Sequence, residues 1–163
     1  MRLLRTIRFD ASDEHVFERA AASGEWAVSG AFAFADDDAS ALAGKRRQAF
    51  RSAFLGTASF GHSTFTAVAL IGPDERADVV DRLAEHLWER YGAPSETEAR
   101  AAAEDEVAFA EGLARHPVNT IVAVERSFGP EGIVERFRTI EAAGGRPHTR
   151  IWALVPDEDD AGG

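Results

Sequence analysis

The residue types with the widest chemical scope gather in one stretch, Gly56-Thr57-Ala58-Ser59-Phe60-Gly61-His62-Ser63-Thr64. A histidine there titrates near neutrality and serves as acid or base. Ser63 and Thr64 bring hydroxyl nucleophiles. The two glycines allow tight backbone turns. The spacing also imitates a phosphate loop, with His62 where a lysine belongs. That motif needs a strand before the loop and a helix after it, so that backbone N–H groups and the helix N-terminus face the anion. Here the order reads helix, loop, strand, so nucleotide binding is not expected. Neighbours on a strand point to opposite faces, so His62 and Ser63 do not by themselves make a nucleophile–base pair. A charged strand-end residue has to complete the set. Glu125, next to Arg126 at the end of a β-branched run, is the candidate, because ligands collect at strand C-termini in α/β sheets. The candidate catalytic set is therefore His62, Ser63 and Glu125, against the plainer reading of a histidine hydrogen-bonded in its loop.

The remaining polar groups carry less. His15, His86, His116 and His148 form no His-x-His or His-x-x-x-His pair, so zinc-protease spacing is missing. Asp10, Asp13, Glu14 and His15 could collect a hard cation, but an acidic turn opening a helix explains them as well. His86 reads as a residue at the edge of a helical stripe, and His116 as a helix C-terminal cap. Lys45-Arg46-Arg47 with Arg51 is the one basic cluster; residues 47 and 51 share a helix face that is either solvated or set against an acidic partner or phosphate. No nucleophile elbow, paired-carboxylate motif or dinucleotide fingerprint occurs. No cofactor and no metal are expected.

These groups must be positioned by elements that the pattern outlines. Leu3–Phe9 reads as a strand, and Asp13–Ala21 as a short helix. Trp26–Phe34 reads as a strand with Trp26, Val28, Phe32 and Phe34 on one face. Its other face is small: Ala27, Ser29, Ala31 and Ala33. A helix capped by Asp38 or Ser40 runs to about Leu55, and Phe60–Ile71 follows as a strand buried on both faces. Gly72-Pro73-Asp74-Glu75 opens a helix with Val80, Leu83, Ala84, Leu87 and Tyr91 inward. Ser95-x-x-Glu98 opens another, closed by Pro117. Thr120–Phe128 is a strand. Gly129-Pro130-Glu131 starts a helix with Ile133, Phe137 and Ile140 inward, stopped by Gly144-Gly145, and Thr149–Val155 is the last strand. Long helical crossovers favour parallel pairing. The expected fold is α+β: one domain over residues 1–156, with a mixed sheet of about five strands and helices packed on it. The acidic tail 157–163 is expected to be disordered.

The chain has 163 residues, which suits one domain. Its 18 Lys+Arg against 28 Asp+Glu give a net charge of −10, which argues against nucleic acid or an anionic membrane as the main partner. The absence of cysteine excludes disulfides, thiolate nucleophiles, Cys-ligated zinc and iron–sulfur clusters. Arg2, Arg5 and Arg8 break any signal-peptide core. The longest uncharged stretch, Ser52–Pro73, carries too many Ser, Thr and Gly residues for a bilayer span. A soluble, cytoplasmic protein is expected.

The opening LLRTIRFD, the segment GEWAVSGAFAF and the stretch FTAVALIGPDERADVVDRLAEHLW resemble a bacterial family of small proteins of unknown function. The resemblance covers residues 1 to about 155. It implies an accessory factor that accompanies redox or cofactor-dependent enzymes, and it brings no catalytic residue with it. Two readings follow. The first is a non-catalytic accessory or protein-binding domain, a homo-oligomer or part of a complex, motivated by the small-residue face. The second is a small enzyme centred on His62, which requires a pocket around that side chain.

Overall fold

The computed structural model describes residues 1–8, 15–142 and 152–156, with side chains as far as residue 141. Among these, eight strands form one sheet: β1 (Arg2–Ile7), β2 (Trp26–Val28), β3 (Phe54–Gly56), β4 (His62–Ser63), β5 (Phe65–Leu70), β6 (Ile121–Gly129), β7 (Gly132–Ala142) and β8 (Trp152–Pro156). Their spatial order is β4-β3-β2-β1-β5-β6-β7-β8, and every pairing of named strands is antiparallel. The helices are α1 (Gly44–Ser52), α2 (Pro73–Arg90) and α3 (Glu96–Leu113).

The α+β class holds. The strand count and the mixed pairing do not: the sheet is larger than about five strands and wholly antiparallel. The main reason is residues 130–142. Ile133, Phe137 and Ile140 have helical spacing, but the segment is β7, hairpinned onto β6 through Gly129–Gly132 with Gly129 opposite Gly132. Gly132 has a φ of 130°, which a side chain would resist. Burial along β7 alternates with period two, Ile133, Glu135, Phe137 and Thr139 being more covered than their neighbours.

The strand expected over Trp26–Phe34 also breaks. Gly30 takes a φ of 82°, and a Cβ on it would meet the Leu55 Cβ at 2.6 Å. After this turn Ala31–Phe34 form a single 3-10 turn. Ala27, Ser29, Ala31 and Ala33 therefore do not share a sheet face, and Ala27 and Ser29 are buried. Helix α1 begins at Gly44, later than Asp38 or Ser40, and ends at Ser52 so that Phe54–Gly56 can pair as β3. The expected helix at Asp13–Ala21 lies partly outside the described residues; inside them, His15 and Val16 are helical, Phe17–Arg19 bend and Ala20 bridges to His62. His148, the Gly144-Gly145 stop and the acidic tail also lie outside.

The two long helices start where their signals lie. Pro73 occupies the first turn of α2, and the Glu75 carboxylate accepts from the Gly72 N–H at 3.2 Å. The Ser95 hydroxyl accepts from the Glu98 N–H at 3.1 Å. They pack as an antiparallel pair, and Arg76 on α2 reaches both Glu104 and Glu111 on α3. Val79, Val80, Leu83 and Leu87 of α2 and Ala99, Ala103, Val107 and Ala110 of α3 bury against Leu3, Val28 and Leu55. The alternate positions Leu4, Ala27, Val68 and Val122 fill a second cluster with Phe54 and Val124. Both faces of β1 are thus covered, and Leu3 and Leu4 are each fully buried.

The sheet is strongly curled. Phe54 on β3 and Phe137 on β7 have ring centroids 6.3 Å apart although β2, β1, β5 and β6 lie between their strands. A flat sheet would hold them ~24 Å apart, at about 4.8 Å per strand. The curl closes over Arg126, whose side chain is fully buried. It donates to the Phe50 and Ala53 carbonyls at 3.0 and 2.7 Å, to the Ser29 carbonyl, and to Glu135 at 2.8 Å.

Candidate functional site

A cleft of ≈ 280 Å³ opens beside His62. Several separate stretches of chain build it. The loop before β4 and β4 itself supply Phe60 and His62, the end of α2 supplies His86, Arg90 and Tyr91, and Glu18, Arg19 and Arg46 close its sides. His62 is fixed by its backbone: its N–H donates to the Arg19 carbonyl at 2.8 Å, and its carbonyl accepts from the Ala21 N–H at 2.8 Å. Register places it opposite Leu55. Its ring lies between Phe17 and Phe34, with centroids 5.9 and 6.0 Å away.

Burial, then the positive charges of Arg126 and Arg46, lower the pKa of His62 to about 4. The imidazole is therefore neutral at pH 7, with one donor and one acceptor nitrogen. Its Nε2 is buried and has no hydrogen-bond partner among the described residues. Such an atom loses its hydration without a replacement, and a ligand is one way to repair that loss.

His86 is the second histidine of the cleft. Its ring stacks on Phe60, with centroids 3.7 Å apart and planes within 4°. Burial, Arg90 and Arg19 lower its pKa as well. Phe60 adopts a φ of 57°, a left-handed conformation that is strained for a bulky aromatic residue. The strain sits in the residue that presents the stacking face. Arg46 lies over the Phe34 ring at 4.9 Å and pairs with Asp37. Three guanidinium groups and one carboxylate, Glu18, thus surround two neutral imidazoles, on a protein whose overall charge is −10.

The three candidate residues are not brought together. Ser63 is buried, and its hydroxyl is held by the Ile7 and Phe65 carbonyls at 3.2 and 2.9 Å. It points to the opposite face from His62, as strand alternation demands. Glu125 is exposed, stands 3.6 Å from Arg138, and lines a different cleft with Arg47 and Phe128. Arg126, its neighbour at the strand end, lines the same cleft but is the buried tie of the curl.

The loop Gly56–Gly61 does bind an anion, but an internal one. The Glu25 carboxylate accepts from the Ala58 and Ser59 N–H groups at 3.1 and 2.8 Å, from the Ser59 hydroxyl at 2.7 Å and from the Ala22 N–H at 2.7 Å. Its glycines serve close approach: a Cβ on Gly56 would lie 2.4 Å from Glu25 Oε1, and one on Gly61 would lie 2.6 Å from the Ala20 carbonyl carbon. Glu25 was not singled out by sequence, since its loop partners are 33 and 34 residues away.

Among the described residues no three His, Asp or Glu side chains gather to hold a metal; Asp10, Asp13 and Glu14 lie outside them. No helix of the described residues is long and apolar enough to cross a membrane.

A family model described as "Family of unknown function (DUF6505)" matches residues 1–150, so the chain belongs to that family. No curated protein matches the chain, and no solved structure matches it.

Proposed function

We propose that this member of a family of unknown function is a small-molecule-binding protein whose His62 cleft takes a compact oxyanion, a carboxylate or a phosphate. One observation carries the reading: the buried Nε2 of His62, which has no hydrogen-bond partner among the described residues, borders a cleft ringed by Arg19, Arg46 and Arg90. Guanidinium groups supply charge-assisted, often bidentate hydrogen bonds to oxyanions. The neutral imidazole then meets a hydroxyl or acidic proton of the same ligand. Proton transfer to or from that group is the catalytic form of this reading. In either form Ser63 and Glu125 contribute fold and surface rather than chemistry.

Calorimetric titration of the full chain with malonate, and with malonamide as its uncharged counterpart, tests the reading. Saturable binding of malonate alone is expected, weakened about tenfold by Arg90→Gln, roughly the loss of one charged hydrogen bond. Equal behaviour of malonate and malonamide, or no effect of Arg90→Gln, would overturn it.

A second reading, the accessory module that docks on a protein or on a second copy of itself, has its own support. The small-residue face no longer motivates it. Instead Trp88, 42% exposed on the outer side of α2, stands over a groove with Asp81, Glu85 and Glu96. Aromatic anchors beside charged rims are common at interfaces. On the resemblance alone, the partner is a redox or cofactor-dependent enzyme. Light scattering of the wild type and of Trp88→Glu tests self-association: a dimer lost in the variant supports that form of the reading, and a monomer in both removes it.

A further inference from the structure

The geometry points to a second binding site, separate from the His62 cleft and independent of the proposal made for it: a groove between α1 and the β6–β7 hairpin that takes an amphipathic monocarboxylate, such as an acyl carboxylate. The groove encloses ≈ 450 Å³. Its floor is apolar: Phe50 of α1 and Phe128 of β6 stack with centroids 4.3 Å apart and planes within 9°, beside Leu42. Its rim is cationic. Arg47 and Arg51 sit one helical turn apart on α1, both exposed, and neither has an ion-pair partner among the described residues. Arg46, the residue before Arg47, is by contrast paired with Asp37.

The distribution of charge on α1 supports a bound anion. Lys45, Arg46, Arg47 and Arg51 crowd this nine-residue helix in a chain with ten excess negative charges. The first turn has no acidic residue and no side-chain cap, so three of its cations oppose the helix dipole. A carboxylate held by Arg47 and Arg51 relieves that repulsion, while a hydrocarbon body covers Phe128 and Leu42. Arg126 also lines the groove, but its donors are already taken by backbone carbonyls and Glu135. Glu125, which also lines the groove, disfavours a second negative group there, which selects a monoanion.

The test is an amide NMR titration of the 15N-labelled full chain with octanoate, with octan-1-ol and inorganic phosphate as the two half-ligands. Saturable shifts at Arg47, Arg51 and Phe128 are expected with octanoate, at least tenfold tighter than with either half-ligand. Arg47→Gln/Arg51→Gln, both at exposed positions, is expected to weaken octanoate about tenfold while leaving the spectrum of the fold intact. Octanoate and octan-1-ol of equal affinity would overturn the site. So would an undiminished affinity of the double variant, or shifts confined to the His62 cleft.

Discussion

At the scale of single residues, the two most informative groups are a histidine whose Nε2 has no partner among the described residues and a glutamate that has four donors. His62 has a pKa of about 4, below the ordinary value of 6.5. The unfolded chain therefore binds a proton that the folded chain refuses as pH falls. The resulting loss of stability begins near pH 6.5 and levels off below about pH 4, with a ceiling of ~3 kcal/mol. His62→Phe is expected to flatten that part of the pH–stability curve; an unchanged slope between pH 6.5 and 4 would contradict the assignment. Glu25→Ala removes the acceptor of four part-buried hydrogen bonds, three from backbone N–H groups and one from the Ser59 hydroxyl. A loss of about 2 kcal/mol in urea unfolding is expected, since hydrogen bonds to a charged group are worth roughly 1.5–3 kcal/mol and water reaches these part-buried donors once the carboxylate is gone. A loss below ~1 kcal/mol would show that the loop does not depend on this carboxylate.

Secondary-structure elements reveal which parts of the fold were legible in the sequence. Pro73 and Ser95 marked their helices because capping is local: the residue and its partner lie within one turn. Ile133, Phe137 and Ile140 misled because a spacing of four then three fits a helix, while the alternation of Ile133, Glu135, Phe137 and Thr139 was masked by the polar Glu135 and Thr139. Both are buried or half-buried for tertiary reasons, Glu135 by its bond to Arg126. His62 was legible as the polar centre of its loop, but Arg90, Tyr91 and Arg19 reach it from distant segments. Gly30 is decisive at this scale. Gly30→Ala forces a side chain into a φ of 82° and against the Leu55 Cβ, and a loss of at least ~1 kcal/mol is expected in thermal unfolding. Neutral or improved stability would mean that the turn after β2 tolerates a different course.

On the scale of the whole molecule, the curl of the sheet is what no local pattern announced. It depends on contacts between segments far apart in the chain: Phe54 of β3 with Phe137 of β7, and Arg126 of β6 with the carbonyls of Phe50 in α1 and of Ala53 just after it. Arg126→Ala would leave the half-buried Glu135 carboxylate with the Ser29 hydroxyl in place of a charged partner, and three carbonyls without their donor. The expected loss is about 3–5 kcal/mol in urea unfolding, as for other broken buried pairs. A loss under ~1 kcal/mol would show that apolar packing alone closes the curl. The same closure carries the functional account. It brings α1 and the β6–β7 hairpin together at one groove, and it leaves Arg126 near enough to help keep His62 neutral. The most direct test is to follow the His62 imidazole resonances at pH 7 while malonate is added. The account calls for a neutral ring whose Nε2 shifts saturably with added ligand. A ring already protonated at pH 7, or one indifferent to malonate at every concentration, would contradict it.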